Sequence, residues 1–235
     1  NVNDRFWLNP AYPEVRQLVA DGVAESLENY DVDGIHIDDY FYPTQEAAFD
    51  AAAFAQSGAE DLAAWRRENC TAMVKLLYDT VKGYDKIFSV SPQGNLEKDY
   101  DELYADAAKW SSEEGYTDWI VPQIYYGFEN SVQPFAETLT YWEELASAVK
   151  LIVGLAPYKI GLEDTWAGEG KNEWQTDGEV LSKEFSLVQD SENVDGAAFY
   201  SYNALFTPES AVAEQVNAER ERIKEKLSKA QQQSQ

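Results

Sequence analysis

Apolar positions recur along the chain with two alternating periods. Apolar residues recur three and four positions apart over Pro13–Asn29, and a proline falls in the first turn; this pattern predicts an amphipathic helix. The stripe on its apolar face would consist of Val15, Leu18, Val19, Val23 and Leu27. Residues 61–82 show the same period and predict a second long helix. Residues 35–38 alternate strictly between apolar and polar, which predicts a short strand between the two helices.

The switch between the two periods repeats to the end of the chain. Further strands are predicted at residues 87–90, 119–125, 151–155 and 197–202. Further helices are predicted at residues 100–110, 135–149 and 179–189, and a last one begins at Thr207 with Pro208 in its first turn. Strands that alternate with helices are typical of a parallel sheet covered by helices. The sequence therefore predicts an α/β fold.

Two α/β architectures fit this order of elements. One is an open, doubly wound sheet, and the other is a (β/α)8 barrel of TIM type with about five of its eight β/α units in this chain. No glycine-rich phosphate loop follows any predicted strand. This excludes the dinucleotide-binding form of the open sheet.

The 235 residues are 44% hydrophobic and 14% aromatic, enough for one substantial core. We therefore predict one domain over residues 1–228, and a polar tail or linker over residues 229–235, where complexity is low. No apolar run is long enough to predict a transmembrane segment. The single cysteine, Cys70, excludes an internal disulfide and falls on a predicted buried helix face, where it would act as a small apolar filler.

The charge of the chain narrows the classes of partner. With 43 acidic and 18 basic residues, the formal net charge is -25. Such a surface repels phosphate backbones and anionic lipid headgroups, so nucleic acid is a poor candidate partner. Neutral glycans meet no such repulsion. A metal-dependent hydrolase would need several histidines, and the chain has only His36. We predict no cofactor and no metal, with a calcium site built from adjacent aspartates as the alternative.

The strand at residues 35–38 carries the most specific chemistry. Because side chains alternate along a strand, His36 and Asp38 share one face and Ile35 and Ile37 the other. In (β/α)8 enzymes the carboxyl ends of the strands line the active site, so Asp38 would stand at its mouth, and Asp39 would begin the following loop. We predict Asp38 and Asp39 as catalytic residues. The alternative is a structural role in which they cap the next helix or pair with arginine.

Polar and aromatic residues cluster after the predicted strands. Tyrosine rings stack on the apolar faces of sugars, and amides bond to sugar hydroxyls. The predicted substrate-binding residues are His36, Tyr40, Tyr42, Gln93, Asn95, Gln123, Tyr125, Tyr126, Tyr158, Trp166, Tyr200 and Tyr202. Trp174 is a further ligand candidate because it shares a glycine-bearing loop with Trp166. The tryptophans on helical stripes, which we predict to lie in the core, are Trp65, Trp110 and Trp142.

Several motifs, in order, resemble one known family. They are LNPAYPEVR (8–16), VDGIHIDDYFYP (32–43), AAWRRENC (63–70), SVSPQGN (89–95), YADAAKW (104–110), DWIVPQIYYG (118–127) and GAAFYSYNALF (196–206). Together they resemble the glycosyl-hydrolase-like family ten, a bacterial family similar to (β/α)8-barrel glycosidases. The resemblance implies that the strands here are the fourth to the eighth, and that an upstream segment supplies the earlier ones. The strand motif is also similar to the fourth strand of α-amylases, with His36 where those enzymes have an arginine.

The resemblance implies a glycoside hydrolase that acts on a bacterial cell-wall or capsular polysaccharide by carboxylate acid/base catalysis, in an extracellular, periplasmic or cell-surface location. Glycosidases generally use two carboxyl groups. Besides Asp38, the second could be Asp39, a loop acid such as Glu163 or Asp164, or a residue on the upstream strands, which we favour. The alternative function is a non-catalytic carbohydrate-binding protein on a degenerate barrel.

Overall fold

The computed structural model describes residue 2, residues 4–38 and residues 41–233. Two of the predicted site residues, the catalytic candidate Asp39 and the substrate-binding candidate Tyr40, lie outside this range. Helices and strands alternate through the described residues, as the sequence predicts. They form two compact units: unit 1 contains residues 1–121 and 145–150, and unit 2 contains residues 122–144 and 151–235.

Unit 1 contains the first predicted strand and the two long helices that flank it. Its elements are α1 (Pro13–Asn29), β1 (Gly34–Asp38), α2 (Ala51–Ser57), α3 (Leu62–Lys82), β2 (Ile87–Ser91), α4 (Leu96–Lys98), α5 (Ala107–Ser112) and β3 (Trp119–Ile120). A 3-10 turn lies at Ala47–Phe49 and a π-helical turn at Asp99–Leu103. β1 pairs in parallel with β2, and β2 pairs in parallel with β3. The strands of unit 1 are therefore neighbours in sequence order.

The best-predicted elements of unit 1 are those with local start signals. The α1 helix has the predicted bounds and carries Pro13 at its start. The α3 helix begins one residue later than predicted because Asp61 caps it, accepting a hydrogen bond from the Ala64 amide at 2.9 Å. The predicted apolar stripe of α1 is only partly covered, since Leu18 is 58% exposed.

Two predictions about unit 1 were wrong. The helix predicted at residues 100–110 is interrupted, because Tyr104 adopts the left-handed conformation (φ 59°) after the π-helical turn and a new helix starts at Ala107. The strand predicted at residues 119–125 ends at Ile120. Pro122 follows, and proline has no N–H to donate to a neighbouring strand.

The core of unit 1 lies between the helices and the sheet. Phe88 and Val90 of β2 and Ile120 of β3 are fully buried, as is Trp110. Trp65 is 9% exposed, and Cys70 is buried, so the predicted core roles of these residues in unit 1 are confirmed.

Unit 2 continues the alternation of strands and helices. Its elements are α6 (Phe135–Leu145, ending at the boundary with unit 1), β4 (Lys150–Leu155, entering unit 2 at Leu151), α7 (Glu173–Thr176), α8 (Val180–Asp190), β5 (Gly196–Phe199), α9 (Tyr202–Phe206) and α10 (Ala213–Gln233), with 3-10 turns at Pro157–Lys159 and Gly168–Gly170. β4 pairs in parallel with β5, from Ile152 beside Gly196 to Leu155 beside Phe199. The core includes Trp142, which is fully buried as predicted.

The last helix differs from its prediction. Helix α9 ends at Phe206, residues 207–212 are not helical, and α10 begins at Ala213 instead of Thr207. The Thr207 hydroxyl donates to the Asn203 carbonyl at 3.2 Å, and Pro208 lacks the N–H that would continue α9. Helix α10 extends to Gln233, into the segment predicted as a tail. None of the helices in the described ranges combines the length and the apolar composition of a membrane span.

Unit 2 buries one acid that lacks a partner. Glu184 of α8 is fully buried, and neither of its carboxyl oxygens has a hydrogen-bond partner among the described residues. Burial raises the pKa of Glu184 well above its ordinary value; the carboxylates of Glu173 and Glu219 raise it further, and the Lys159 ammonium lowers it. The folded protein therefore favours the neutral acid.

We expect Glu184→Gln to stabilise the protein increasingly as pH rises. Below the ordinary pKa of 4.5, the acid is protonated in both folded and unfolded chains, so the two proteins should melt alike. Above it, the unfolded chain releases the proton and the folded chain retains it, so wild-type stability falls until pH passes the folded-state pKa. Melting temperatures from pH 4 to pH 8, with the exposed Glu225→Gln as control, would test this. A pH-independent difference would contradict it.

Candidate functional site

The carboxyl end of β1 presents His36 and Asp38 on its exposed face. Both residues are exposed, whereas Ile35 and Ile37 are half-buried, so the exposure follows the predicted alternation. The strand register places His36 beside Ser89 and Asp38 beside Ser91 of β2. Paired residues of a parallel sheet point to the same side, so these four side chains share one face of the sheet, where Ser89 and Ser91 are buried.

His36 is oriented by a residue that the sequence interpretation missed. Its Nδ1 lies 2.8 Å from the Ser89 hydroxyl, which fixes the orientation of the imidazole. His36 is exposed as a whole residue, but its ring is partly withdrawn from water against Ser89, and this desolvation lowers the pKa of His36. The Asp38 carboxylate opposes the effect, and the neutral imidazole is favoured at neutral pH. Ser89 and Ser91 are spaced two residues apart in an apolar run, as are His36 and Asp38. This alternation of polar residues in both strands was the sequence signal that could have identified Ser89 as a neighbour of His36.

The two arginines of the AAWRRENC motif, Arg66 and Arg67, form contacts with residues other than Asp38. Arg66 is fully buried and forms an ion pair with Asp50 at 2.6 Å. The guanidinium of Arg67 lies 4.0 Å from the centre of the Tyr100 ring. The chemistry available at Asp38 is that of an exposed carboxylate, which can act as a nucleophile or exchange a proton with a substrate.

Three further residues of unit 1 that were predicted to bind substrate are Tyr42, Asn95 and Gln93, and they differ in burial and in contacts. Tyr42 is 2% exposed and packs edge-on against Tyr104, with 5.5 Å between ring centres. Burial raises the pKa of its phenol. This enclosure favours support of the loop after β1 over contact with a sugar. Asn95 accepts a hydrogen bond from the Lys98 amide at 3.0 Å and caps α4. Gln93 is half-buried after β2.

Unit 2 brings three of the predicted sugar-binding residues together. The rings of Tyr125, Tyr158 and Tyr200 lie within 5.8–6.3 Å of one another, centre to centre. Tyr125 and Tyr200 are stacked, and Tyr158 is perpendicular to both. Tyr158 is 41% exposed and Tyr200 is 62% exposed. We call these residues the tyrosine cluster.

The chain order places the tyrosine cluster at strand ends. Tyr158 follows β4 within a 3-10 turn, and Tyr200 follows β5, with its amide donating to the Leu155 carbonyl at 3.0 Å. Tyr125 follows Gln123, a half-buried residue that forms a parallel bridge with Gly154 of β4. The carboxyl ends of parallel strands carry the binding sites of (β/α)8 enzymes, and for this reason the tyrosine cluster is a candidate ligand site.

The two tryptophans of the loop after β4 have opposite environments. Trp166 is 86% exposed, as a ligand platform would be, whereas Trp174 is 2% exposed. The burial of Trp174 in the core disfavours the ligand role considered for it. The local sequence could not show which of the two tryptophans is buried, because both lie in the same polar stretch that contains glycines.

The two loop acids considered as second carboxylates both form ion pairs. Asp164 is 6% exposed and lies 2.6 Å from the Lys159 ammonium. Glu163 is an exposed partner of Lys171 at 3.0 Å. Asp164 is thus enclosed and paired, which disfavours it as an acid that meets substrate.

The remaining two candidates for sugar binding, Tyr202 and Tyr126, are not members of the tyrosine cluster. Tyr202 is 70% exposed and packs on Phe206 of α9 at 4.8 Å between ring centres. Tyr126 is half-buried. Within the described ranges, no group of three or more histidine, cysteine, aspartate or glutamate residues is placed to hold a metal ion.

Comparison with solved structures supports the fold. The glycoside hydrolase domain of PgaB (BpsB) from Bordetella bronchiseptica matches with a TM-score of 0.55 and 12% identity, over 92% of this chain and 66% of that one. The match confirms the α/β fold as a partial (β/α)8 barrel of TIM type.

Curated proteins are more similar in sequence. The chain is 30% identical over 230 residues to "Glycosyl hydrolase YngK" of Bacillus subtilis (strain 168), covering 86% of this chain and 43% of that protein. It is 30% identical over 234 residues to "Glycosyl hydrolase DigH" of Escherichia coli (strain K12), covering 89% of this chain and 52% of that protein. The chain thus spans about half the length of these relatives.

A family model covers most of the motifs that carried the resemblance. The model described as "Glycosyl hydrolase-like 10" matches residues 1–168, which include β1, Asp38 and the loop that carries Trp166. The predicted family is confirmed: the chain belongs to the glycosyl hydrolase-like 10 family.

Proposed function

We propose that this chain carries part of the active site of a glycoside hydrolase, with Asp38 as one of its catalytic carboxylates. The observation that carries the proposal is the exposed Asp38 at the carboxyl end of β1, in a chain of this family. A carboxylate at this position of a barrel strand is where (β/α)8 enzymes hold reacting groups.

The reaction adds water across a glycosidic bond and needs two carboxyl groups. One donates a proton to the leaving oxygen, and the other attacks the anomeric carbon or removes a proton from the attacking water. We propose that Asp38 fills one of these roles. The partner is proposed to be Asp39 or an acid on an upstream segment of the barrel, because Asp164 is enclosed by Lys159. Ser89 is proposed to keep His36 in place beside Asp38.

The proposed substrate is a neutral polysaccharide of a bacterial cell wall or capsule. The tyrosine cluster offers ring faces for pyranoses and hydroxyls for hydrogen bonds. The formal charge of -25 opposes a strongly anionic polymer. The relatives are named as glycosyl hydrolases, and the PgaB domain as a glycoside hydrolase, which supports the same reaction class.

We expect Tyr200→Ala to weaken glycan binding about two- to twelvefold, if the ring contributes to a stacked sugar the roughly 0.5–1.5 kcal/mol that stacked aromatic pairs gain beyond their buried area. Titration calorimetry with chitopentaose, cellopentaose and xylopentaose would measure the change. Tyr141→Ala is the matched control, since Tyr141 is an exposed tyrosine of unit 2 on α6, at 52% exposure. Equal effects of the two substitutions would remove the tyrosine cluster from the binding site.

A non-catalytic carbohydrate-binding protein is the second candidate. It is favoured because both loop acids considered as the second carboxylate, Glu163 and Asp164, form ion pairs. The two functions differ in one measurement. A binding protein would take up the pentasaccharides without releasing shorter products, whereas the proposed hydrolase would release them and lose this activity with Asp38→Asn.

A further inference from the structure

We infer that the ion pair of Lys159 and Asp164 positions Tyr125, Tyr158 and Trp166 for carbohydrate binding. The inference rests on the proposed function and assigns a role to two residues that do not themselves present a sugar-binding face. Both are positioning residues: they act through the aromatic residues they hold.

The ion pair is enclosed and has strong geometry. The Lys159 Nζ lies 2.6 Å from Asp164 Oδ2, and the side chains are 17% and 3% exposed, respectively. A charge-assisted hydrogen bond of this length is among the stronger polar contacts in proteins. Removal of either partner would leave the other charge largely enclosed without its counter-ion, which is costly.

Lys159 links the pair to the tyrosine cluster. Its ammonium also donates to the Tyr125 carbonyl at 2.6 Å. Tyr158 is the preceding residue and shares the same 3-10 turn, Pro157–Lys159. The lysine therefore restrains the backbone of Tyr125 and the turn that carries Tyr158, which are two of the three members of the cluster.

Asp164 links the pair to the exposed tryptophan. Its Oδ1 accepts a hydrogen bond from the Trp166 amide at 3.2 Å, and its carbonyl accepts one from the Ala167 amide at 3.0 Å. Its own amide donates to the Lys171 carbonyl at 2.8 Å. The carboxylate thus stabilises a turn that contains the exposed Trp166 and restrains its backbone within the loop.

The far side of this loop is held by close backbone packing. The Ser131 amide donates to the Ala167 carbonyl at 3.1 Å. A Cβ at Gly170 would lie 2.1 Å from the Glu129 carbonyl oxygen, so only glycine permits this approach. With one side anchored by backbone, the side that bears Trp166 depends on Asp164.

The same loop contains a matched control. Glu163 precedes Asp164 and forms an ion pair with Lys171 at 3.0 Å, with side chains 43% and 52% exposed. Exposed pairs contribute little because water and salt screen them. Asp164→Asn and Glu163→Gln each remove one negative charge at adjacent positions, yet only the first should disturb the aromatic residues.

The first measurement is hydrogen exchange of the amides in residues 161–171, followed by mass spectrometry. We expect Asp164→Asn to accelerate exchange at Trp166 and Ala167 by about tenfold or more, because loss of the ion pair with Lys159 releases the turn that holds both amides. Lys159→Met should do the same and also accelerate exchange around Tyr125. Glu163→Gln should leave the pattern of the wild-type protein. Equal exchange in Asp164→Asn and Glu163→Gln would overturn the inference.

The second measurement is the affinity for the same pentasaccharides, with turnover measured on the intact gene product. We expect Asp164→Asn and Lys159→Met to raise Kd and KM about tenfold while kcat changes less than about twofold, since the pair positions binding residues and not the reacting carboxylate. A loss of kcat at unchanged KM would overturn the inference.

The outcomes separate this inference from the proposed function. If the wild-type protein binds none of the glycans, the proposed function fails and the inferred role in carbohydrate binding fails with it, even where faster exchange in both variants shows that the ion pair orders the aromatic residues. If glycans bind and neither variant changes exchange or affinity, the positioning role fails alone. If both variants lose the far-UV circular dichroism of the folded protein, the pair supports the whole fold, and the inference is overturned.

Discussion

Replacing Asp38 with asparagine is expected to lower kcat on a susceptible glycan roughly ten-thousandfold while the fold survives, as the removal of one catalytic group does in other hydrolases. Asparagine keeps the shape of the side chain but has neither the negative charge of a nucleophile nor the ability to carry the proton. Because Asp38 is exposed at the end of β1, the new amide stays in contact with water. The melting temperature should change little.

Initial rates of the intact gene product on a polysaccharide that it hydrolyses would measure the effect, with the melting temperature as the folding control. Asp33→Asn, an exposed aspartate just before the same strand, is the matched substitution and should retain activity. A rate unchanged by Asp38→Asn would remove this residue from the mechanism. Equal losses in Asp38→Asn and Asp39→Asn would instead indicate two carboxylates that act as one unit.

The fold could be predicted wherever local signals and periodicity agreed. Helix α1 carries a proline in its first turn and α3 an aspartate cap, and both were predicted to within one residue. The helix predicted at residues 100–110 failed because Tyr104 adopts a positive φ, a conformation that tyrosine does not signal in a sequence. Family membership, which rests on the order of several motifs, was predictable from the sequence as well.

The sequence predicted which face of a strand the candidate side chains occupy, but not how deeply each one is buried. Strand alternation correctly assigned His36 and Asp38 to one face. Tyr125, Tyr158 and Tyr200 were predicted as sugar-binding residues from their positions at strand ends, and their rings lie together; their role in binding stays a prediction. The same reasoning could not separate these from Tyr42, because burial depends on contacts with residues far along the chain.

Long-range pairing explains the rest of what the sequence left undecided. Tyr42 is enclosed by Arg66, whose guanidinium carbon lies 5.2 Å from the Tyr42 ring centre. Nothing in the local pattern of either residue indicates the other. The partner of Arg66 is likewise sixteen residues away, at Asp50, and this pairing determines the second large effect that we expect.

Replacing Arg66 with methionine is expected to destabilise the protein by about 3–5 kcal/mol, the cost of leaving one member of a buried ion pair without its partner. Arg66 and Asp50 have fully buried side chains and form two hydrogen bonds, Nε to Oδ2 at 2.9 Å and a terminal nitrogen to Oδ1 at 2.6 Å. The guanidinium also donates to Gln45 and Glu46 carbonyls and to the Tyr104 hydroxyl. Thus every N–H of Arg66 has an acceptor.

Urea unfolding of three proteins would test this account: wild type, Arg66→Met, and the double variant Arg66→Met with Asp50→Leu. The double variant should recover much of the loss, because it no longer buries a lone carboxylate. Lys75→Met is the control, since its pair with Asp79 is exposed at 47% and 55%, and it should change stability by less than about 1 kcal/mol.

The contacts of Arg66 also predict which segment should open first in the Arg66→Met variant. Its acceptors at residues 45, 46 and 50 belong to the loop that follows β1, the strand that ends at Asp38. Hydrogen exchange in that loop should therefore accelerate at urea concentrations below the global transition. If hydrogen exchange accelerated equally throughout unit 1, the ion pair would not be a specific anchor of this loop. A stability loss no larger than that of Lys75→Met would lead to the same conclusion.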